Sequence, residues 1–254
     1  MSAVQSPEWQ SALARSLVYS FLSRAIAYPN PEHQAVLKDR IAPALSGMDG
    51  ESSVPAGLRE ALLMVDRPLD TMREEHSAVF TMTVSADCPD YETAYNCRDV
   101  FQQAHAMADV AGFYRAQGLE VGGRQHERPD HITTELEFMS FLALKEAYAI
   151  ENLGPEKSAM AREAQALFLR EHLGCWGPSL GRRIEAHAGD QTFYAAVGRA
   201  LAGWLADECS RLGVEPTQVV DEPLLAWPGP DDGSCGAEAD CPVINFDDIP
   251  LERG

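Results

Sequence analysis

What most limits the folds open to this chain is its punctuation. Apolar residues recur at helical spacing in stretches cut by proline and glycine, and no stretch alternates apolar with polar. Ser6-Pro7-Glu8 sets a helix start, with Ser as N-cap and Pro in the first turn. Leu13, Leu17, Phe21 and Ile26 then keep the period until Tyr28-Pro29. Pro31 opens a second helix toward Leu45, with Pro43 expected to kink or stop it. After a loop over 47–55, helices are expected over 56–65 and from Pro68 to about 82, and residues 83–94 read as non-helical. A helix over about 98–117 is closed by Gly118, and Glu127-Arg-Pro-Asp130 reads as another helix start. The helix that follows puts Ile132, Leu136, Met139, Leu142 and Ala143 on one face, and Gly154-Pro155 ends it. Further helices are expected over roughly 156–173, 178–188 and 191–212. The fold expected is all-α: one helical domain over residues 1–213, then an acidic, Pro/Gly-rich tail over 214–254, extended or disordered.

Charge narrows the partners. Asp and Glu number 39 against 20 Lys and Arg, a formal net charge of −19. Such a surface repels nucleic-acid phosphates and anionic lipid. The charge is uneven: from Asp221 to Gly254 nine acidic side chains face Arg253 alone, so −8 of the total sits in that last stretch. The N-terminal residues lack a basic stretch followed by an apolar run, and Arg15 and Arg24 interrupt the apolar run 13–27. No secretory signal or membrane span is therefore expected, which points to a cytoplasmic protein. The six cysteines form no C-x-x-C pair, and Cys235 and Cys241, six apart in the tail, read as free thiols.

No phosphate-binding, dinucleotide, nucleophile-elbow or zinc-protease motif occurs in the chain. Two clusters remain. In the first, Glu75 and His76 lie on a helix whose other face is Val79 and Phe80, and a loop then supplies Tyr91, Glu92 and Tyr95. Tyr91 and Tyr95 are either plugs over the core with hydroxyls outward or the lining of a groove for an arginine-bearing peptide, and the sequence does not choose. In the second, Asp130 reads as a first-turn acid and His131 and Glu135 share a helix face. That pair either fixes a helix start or, with His126, serves a metal-dependent enzyme; the repeated Glu-x-x-His units of a di-metal bundle are absent. Met107, Met139 and Met160 read as core filler, and Arg182-Arg183 as a solvated face.

The strings CPDYETAY (88–95), ERPDHITTELEFMSFLALKE (127–146), FLREHLGCW (168–176) and FYAAVGRALAGWL (193–205) occur in that order. Together they resemble the TorD/DmsD/NarJ family, chaperones dedicated to molybdoenzymes of the dimethyl-sulfoxide-reductase type. The most specific block is Glu127, Pro129, Asp130, His131, Glu135 and Leu136. The resemblance implies a TorD-like bundle, non-catalytic and without a cofactor of its own. It also implies a partner: the apo catalytic subunit of a molybdopterin oxidoreductase, often held through its twin-arginine signal peptide until the cofactor is inserted. It places client binding at Asp130, His131, Glu135, Pro129 and the preceding 123–128, Glu127 included, with Tyr91 and Glu92 beside them. The Cys-Pro-x-Tyr-Glu-x-x-Tyr block is closest to the branch serving nitrate, selenate, chlorate or dimethyl-sulfide oxidoreductases. A monomer or a domain-swapped dimer hinged over 119–128 is compatible with the family. The competing functions are a metal enzyme on His131 and Glu135, a redox or iron–sulfur carrier on Cys235, Cys241 and two other cysteines, and a helical scaffold without a specific client.

Overall fold

A computed structural model describes residues 6–46, 56–80, 85, 87–122 and 127–224. The N-terminal helix α1 (Pro7–Ile26) starts where Ser6 Oγ accepts from Trp9 N. Asn30 caps α2 (Pro31–Val36) in the same way through His33 N. Pro43 does not stop the helix, which runs on through it to Ser46. A π turn over Leu37–Ile41 widens the helix immediately before α3 (Ala42–Ser46), with Ala42 N bonding back to Leu37 O. A proline ring in a continuing helix pushes on the carbonyl four residues back, and the wide turn is where that registry is given up. Then come α4 (Ala56–Met64), α5 (Leu69–Phe80), the single turn α6 (Thr93–Asn96) and α7 (Val100–Ala116). The C-terminal half holds α8 (Ile132–Asn152), α9 (Pro155–Glu171), α10 (Leu173–Ala188) and α11 (Phe193–Leu212), the last closed by Gly213 in the left-handed region.

One helix begins earlier than its sequence suggests. Gly174, Gly177 and Pro178 argue against a helix before 178, yet α10 runs through all three. Gly174 is pressed against the carbonyl of Leu169 and Cys209, and Gly177 against Leu205 and Leu173, so burial outweighs their low propensity.

The helices surround one apolar core in which Tyr19, Phe21, Leu22, Tyr95, Phe168, Trp176, Phe193 and Tyr194 are almost wholly shielded. Contacts of Ser16 with Ser140 and of Ser23 with Thr133 O set α1 antiparallel to α8. The α10–α11 crossing is tight because Gly181 and Gly198 face each other. A Cβ on Gly198 would stand 2.6 Å from Glu185 N and from Gly181 O.

Through the core runs a charged girder. Arg15, 3% exposed, bonds Glu208 with Nε at 2.9 Å, Glu146 with Nη1 at 2.8 Å and Gln165 with Nη2. Arg162 and Arg211 close it from outside, at 2.7 Å from Glu146 and 2.8 Å from Glu208. Burial opposes the Arg15 charge, but the bonds and charge of Glu208 push its pKa up overall. Burial would likewise raise Glu146, and the bonds from Gln165, Arg162 and Arg15 bring it below the ordinary carboxylate value.

Some surface and boundary expectations change. Met139 is core, but Met160 is 54% exposed and Met107 only half-buried. Residues 214–224 are non-helical, as expected of the tail, yet pinned to the body: Thr217 N bonds Arg170 O, Val220 N bonds Cys175 O and Leu224 N bonds Ala94 O. Arg182 meets Asp221 at 3.0 Å. Cys235, Cys241 and the rest of the acidic tail lie outside the described residues, and no helix among the described ones is long and apolar enough to cross a membrane.

Candidate functional site

The start of α8 is fastened to the segment before α6 by two backbone bonds, Glu92 N to Asp130 O and Ile132 N to Asp90 O, both 2.9 Å. These make an isolated antiparallel bridge between Tyr91 and His131. His131, not Asp130, is the N-cap of α8: its Nδ1 accepts from Thr133 N at 3.2 Å. The Nε2 edge of the ring faces Asp90 at 3.2 Å.

Asp130 is fully buried, and its guanidinium partner belongs to its own chain. Arg128 donates to both carboxylate oxygens, at 2.9 and 2.8 Å. Thr93 Oγ1 donates to Oδ2 at 2.7 Å and Thr93 N at 3.3 Å, so Asp130 caps α6 from another part of the chain. The expectation that it is a first-turn acid of α8 facing a groove is thereby corrected. Glu135 is also fully buried; Trp176 Nε1 donates to its Oε2 at 3.2 Å and its Oε1 has no partner. Burial first, then the charges of Glu92 and Asp130, hold its carboxyl far above the ordinary value. His131 and Glu135 are joined only through the backbone, Glu135 N donating to His131 O at 3.0 Å; their side chains do not meet, because the ring turns to Thr133 and Asp90 and the carboxyl to Trp176. Among the described residues, no three His, Cys, Asp or Glu side chains gather as metal ligands.

Glu92, 2% exposed, accepts from Asn96 Nδ2 at 2.8 Å and sits 3.1 Å from His172 Nδ1 with both oxygens. Tyr95 is sealed in the core with its hydroxyl donating to Pro89 O, contrary to an outward plug. Tyr91 does reach the surface: its ring lies 4.4 Å under the Arg128 guanidinium, and its hydroxyl points to Glu127 at 3.4 Å. Pro129 O accepts from Tyr114 Oη at 2.7 Å, which ties the same loop to α7. Of the expected site residues, Asp130, Glu135 and Glu92 thus form a buried frame. Tyr91 and Glu127, with Pro129 and the edge of His131, are what the frame presents.

Next to that edge opens a cavity of about 390 Å³ between α1, α2, the end of α7 and the first turns of α8. Tyr114, Phe138 and Phe141 give it an aromatic floor, widened by Leu119 and Val121. Glu120, Glu127 and Glu137 bring carboxylates, and Arg24 brings the opposite sign from the α1–α2 side, with His33 beside it. Beyond Phe141 the same face of α8 continues outward as Leu144 and Tyr148, 50% and 57% exposed. Sequence reading missed Arg24, Glu120, Glu137 and Phe141. The available signal was a second apolar row, Phe141–Leu144–Tyr148, opposite the core row of the same helix.

A bundle of this build, with a mixed-charge, aromatic-floored cavity beside a stapled helix start, defines a helical binding protein. Residues 51–181 match the family described as nitrate reductase delta subunit. Over 196 residues the chain is 31% identical to the perchlorate reductase assembly chaperone protein of Dechloromonas aromatica (strain RCB), covering 74% of this chain and 86% of that one. It is 30% identical over 150 residues to the selenate reductase assembly chaperone protein of Thauera selenatis, 59% and 75% of the two chains. It is 26% identical over 166 residues to the chaperone protein TorD of Vibrio cholerae serotype O1 (strain ATCC 39315 / El Tor Inaba N16961), 62% and 73%. The chain belongs to this family, the TorD/DmsD/NarJ group that its motifs resemble, and it is an assembly chaperone, not a catalyst.

Proposed function

We propose that this chain is the system-specific chaperone of one molybdopterin oxidoreductase of the dimethyl-sulfoxide-reductase type. It holds the apo catalytic subunit in the cytoplasm while the molybdopterin cofactor is inserted and releases it for export or membrane attachment. The segment it grips is cationic and then apolar, as a twin-arginine signal peptide is. The observation that carries this is the cavity beside the Pro129-Asp130-His131 helix start, where Glu120, Glu127 and Glu137 stand over Tyr114, Phe138 and Phe141. Carboxylates and aromatic faces are the two surfaces a guanidinium prefers. The exposed row Leu144–Tyr148 then offers apolar area to the residues that follow it.

The buried frame has a supporting part. Asp130 and Glu135 do not meet the client; they set the position of Glu127, Tyr91 and the α8 start. Calorimetry with the N-terminal peptide of the molybdopterin oxidoreductase subunit that a pull-down on the full-length protein identifies tests the proposal. Glu127→Gln with Glu137→Gln is expected to weaken binding by about 1.5–3 kcal/mol for each charged bond lost. Unchanged affinity in the double variant removes the cavity from the client site.

A further inference from the structure

The charges of the cavity do not meet one another. Arg24 and His33 stand on the α1–α2 side, and Glu120, Glu127 and Glu137 on the side of α7, its following loop and α8. Among the described residues no ion pair joins the two sets. Arg24 Nε and His33 Nδ1 are shut off from solvent without a hydrogen-bond partner.

Arg24 is an exception among the described residues. The other half-buried arginines described each hold a partner: Arg67 has Glu75, Arg73 has Asp70, Arg128 has Asp130, Arg183 has the carbonyl of Asp87, and Arg199 has Glu60 and Glu185. With 39 acidic residues in the chain, a guanidinium that meets none of the described ones while lining a cavity has the chemistry to take a carboxylate from a bound segment.

We infer that the cavity reads a pair of opposite charges on its client: the glutamates take an arginine of the bound segment, and Arg24 takes a carboxylate of the same segment. This rests on the cavity being the client site and adds a selection rule to it. A compact space of about 390 Å³ is on the order of 7–9 Å across. At ~3.3 Å per residue the two charges therefore sit about one to three positions apart in an extended segment, or about three or four in a helix. Arg24 is then a specificity-determining residue, because a client with the arginine but no acid leaves its half-buried guanidinium unmatched, the shielded Nε included. A purely cationic leader meets only one side of the cavity.

Panning a random peptide display library on the full-length protein tests this without knowledge of the client. The wild type is expected to enrich arginine together with Asp or Glu at that spacing. Arg24→Gln should keep the arginine and lose the acid, Arg24→Lys should keep both, and Glu120→Gln with Glu137→Gln should lose the arginine. Calorimetry on one selected peptide and its Asn or Gln counterpart should show a loss of about tenfold or more on the wild type, the factor for one charge-assisted bond, and none on Arg24→Gln. Arginine enriched without an acid, or acid selection unchanged in Arg24→Gln, overturns the inference and leaves the client site standing. No enrichment of arginine in any form overturns both. Full competition by free arginine would mark the cavity as a small-molecule site and also overturn it. Coincident melting curves of the variants separate lost selection from lost folding.

Discussion

Glu135 and His76 are buried groups whose neighbours decide which protonation state the fold tolerates. Glu135 is raised well above 4.5, first by burial and then by Glu92 and Asp130. A carboxyl raised in the folded state makes stability fall as pH climbs from its ordinary value toward the folded one, because the unfolded chain releases that proton earlier. His76 Nε2–H donates to Ile26 O, 3.1 Å away, and burial lowers the ring's pKa from 6.5 to about 4. Its contribution is present above 6.5 and lost as pH falls toward 4. Urea titrations across pH should therefore give a stability dome. Glu135→Gln is expected to flatten its upper limb and His76→Gln its lower limb, and a limb that survives its own variant assigns that titration elsewhere. Arg15 is decided by pairing. Arg15→Met leaves Glu146 and Glu208 short of their central cation and should cost about 3–5 kcal/mol in urea unfolding. A loss below about 1 kcal/mol would mean that Arg162 and Arg211 suffice for the two carboxylates.

At the scale of elements, helix beginnings were legible and helix neighbours were not. Ser6-Pro7, Asn30-Pro31, Gly154-Pro155 and Gly213 mark real ends because capping and proline chemistry act within a few residues. The start at Glu127–Asp130 was placed correctly to within a few residues, but the roles inside it were not. His131 caps the helix, and Asp130 serves a different helix 37 positions away in the chain. The early start of α10 was hidden for the same reason, since what stabilises Gly174 and Gly177 there is Leu169, Cys209 and Leu205. The α10–α11 crossing gives the matching prediction. Gly198→Val puts side-chain atoms where Glu185 N and Gly181 O already stand, and it should destabilise the protein by about 1–3 kcal/mol or more in thermal or urea unfolding. Gly112, with nothing near its Cβ position, is the control: Gly112→Ala should be neutral or stabilising.

At the scale of the molecule, the proposed function makes the charge of −19 a field and the cavity an address. A cationic client approaches faster and binds more tightly at low ionic strength, while the aromatic floor and the Leu144–Tyr148 row are indifferent to salt. Affinity for the client peptide should therefore fall with added salt and level off at a residual apolar contribution. Stopped-flow association rates should fall more steeply than dissociation rates rise. A salt-independent association rate would show that the field plays no part.

Much of this protein was fixed within its own sequence. The all-helical fold, most helix ends, the excess of acid and the family blocks all depend on neighbours a few residues apart or on simple sums over the chain. Which charges are bonded inward and which line the cavity was decided only by tertiary structure. Asp130, Glu135 and Glu92 look in sequence like ligands for a peptide and are bonded inward. Arg15 looks like an interruption and is a strut to Glu208, 193 positions away. Arg24 looks the same and lines the cavity without a described partner. The physical reason is that helical spacing determines which residues share a face, while the pairing and burial of a charge depend on what another helix, remote in the chain, brings against that face.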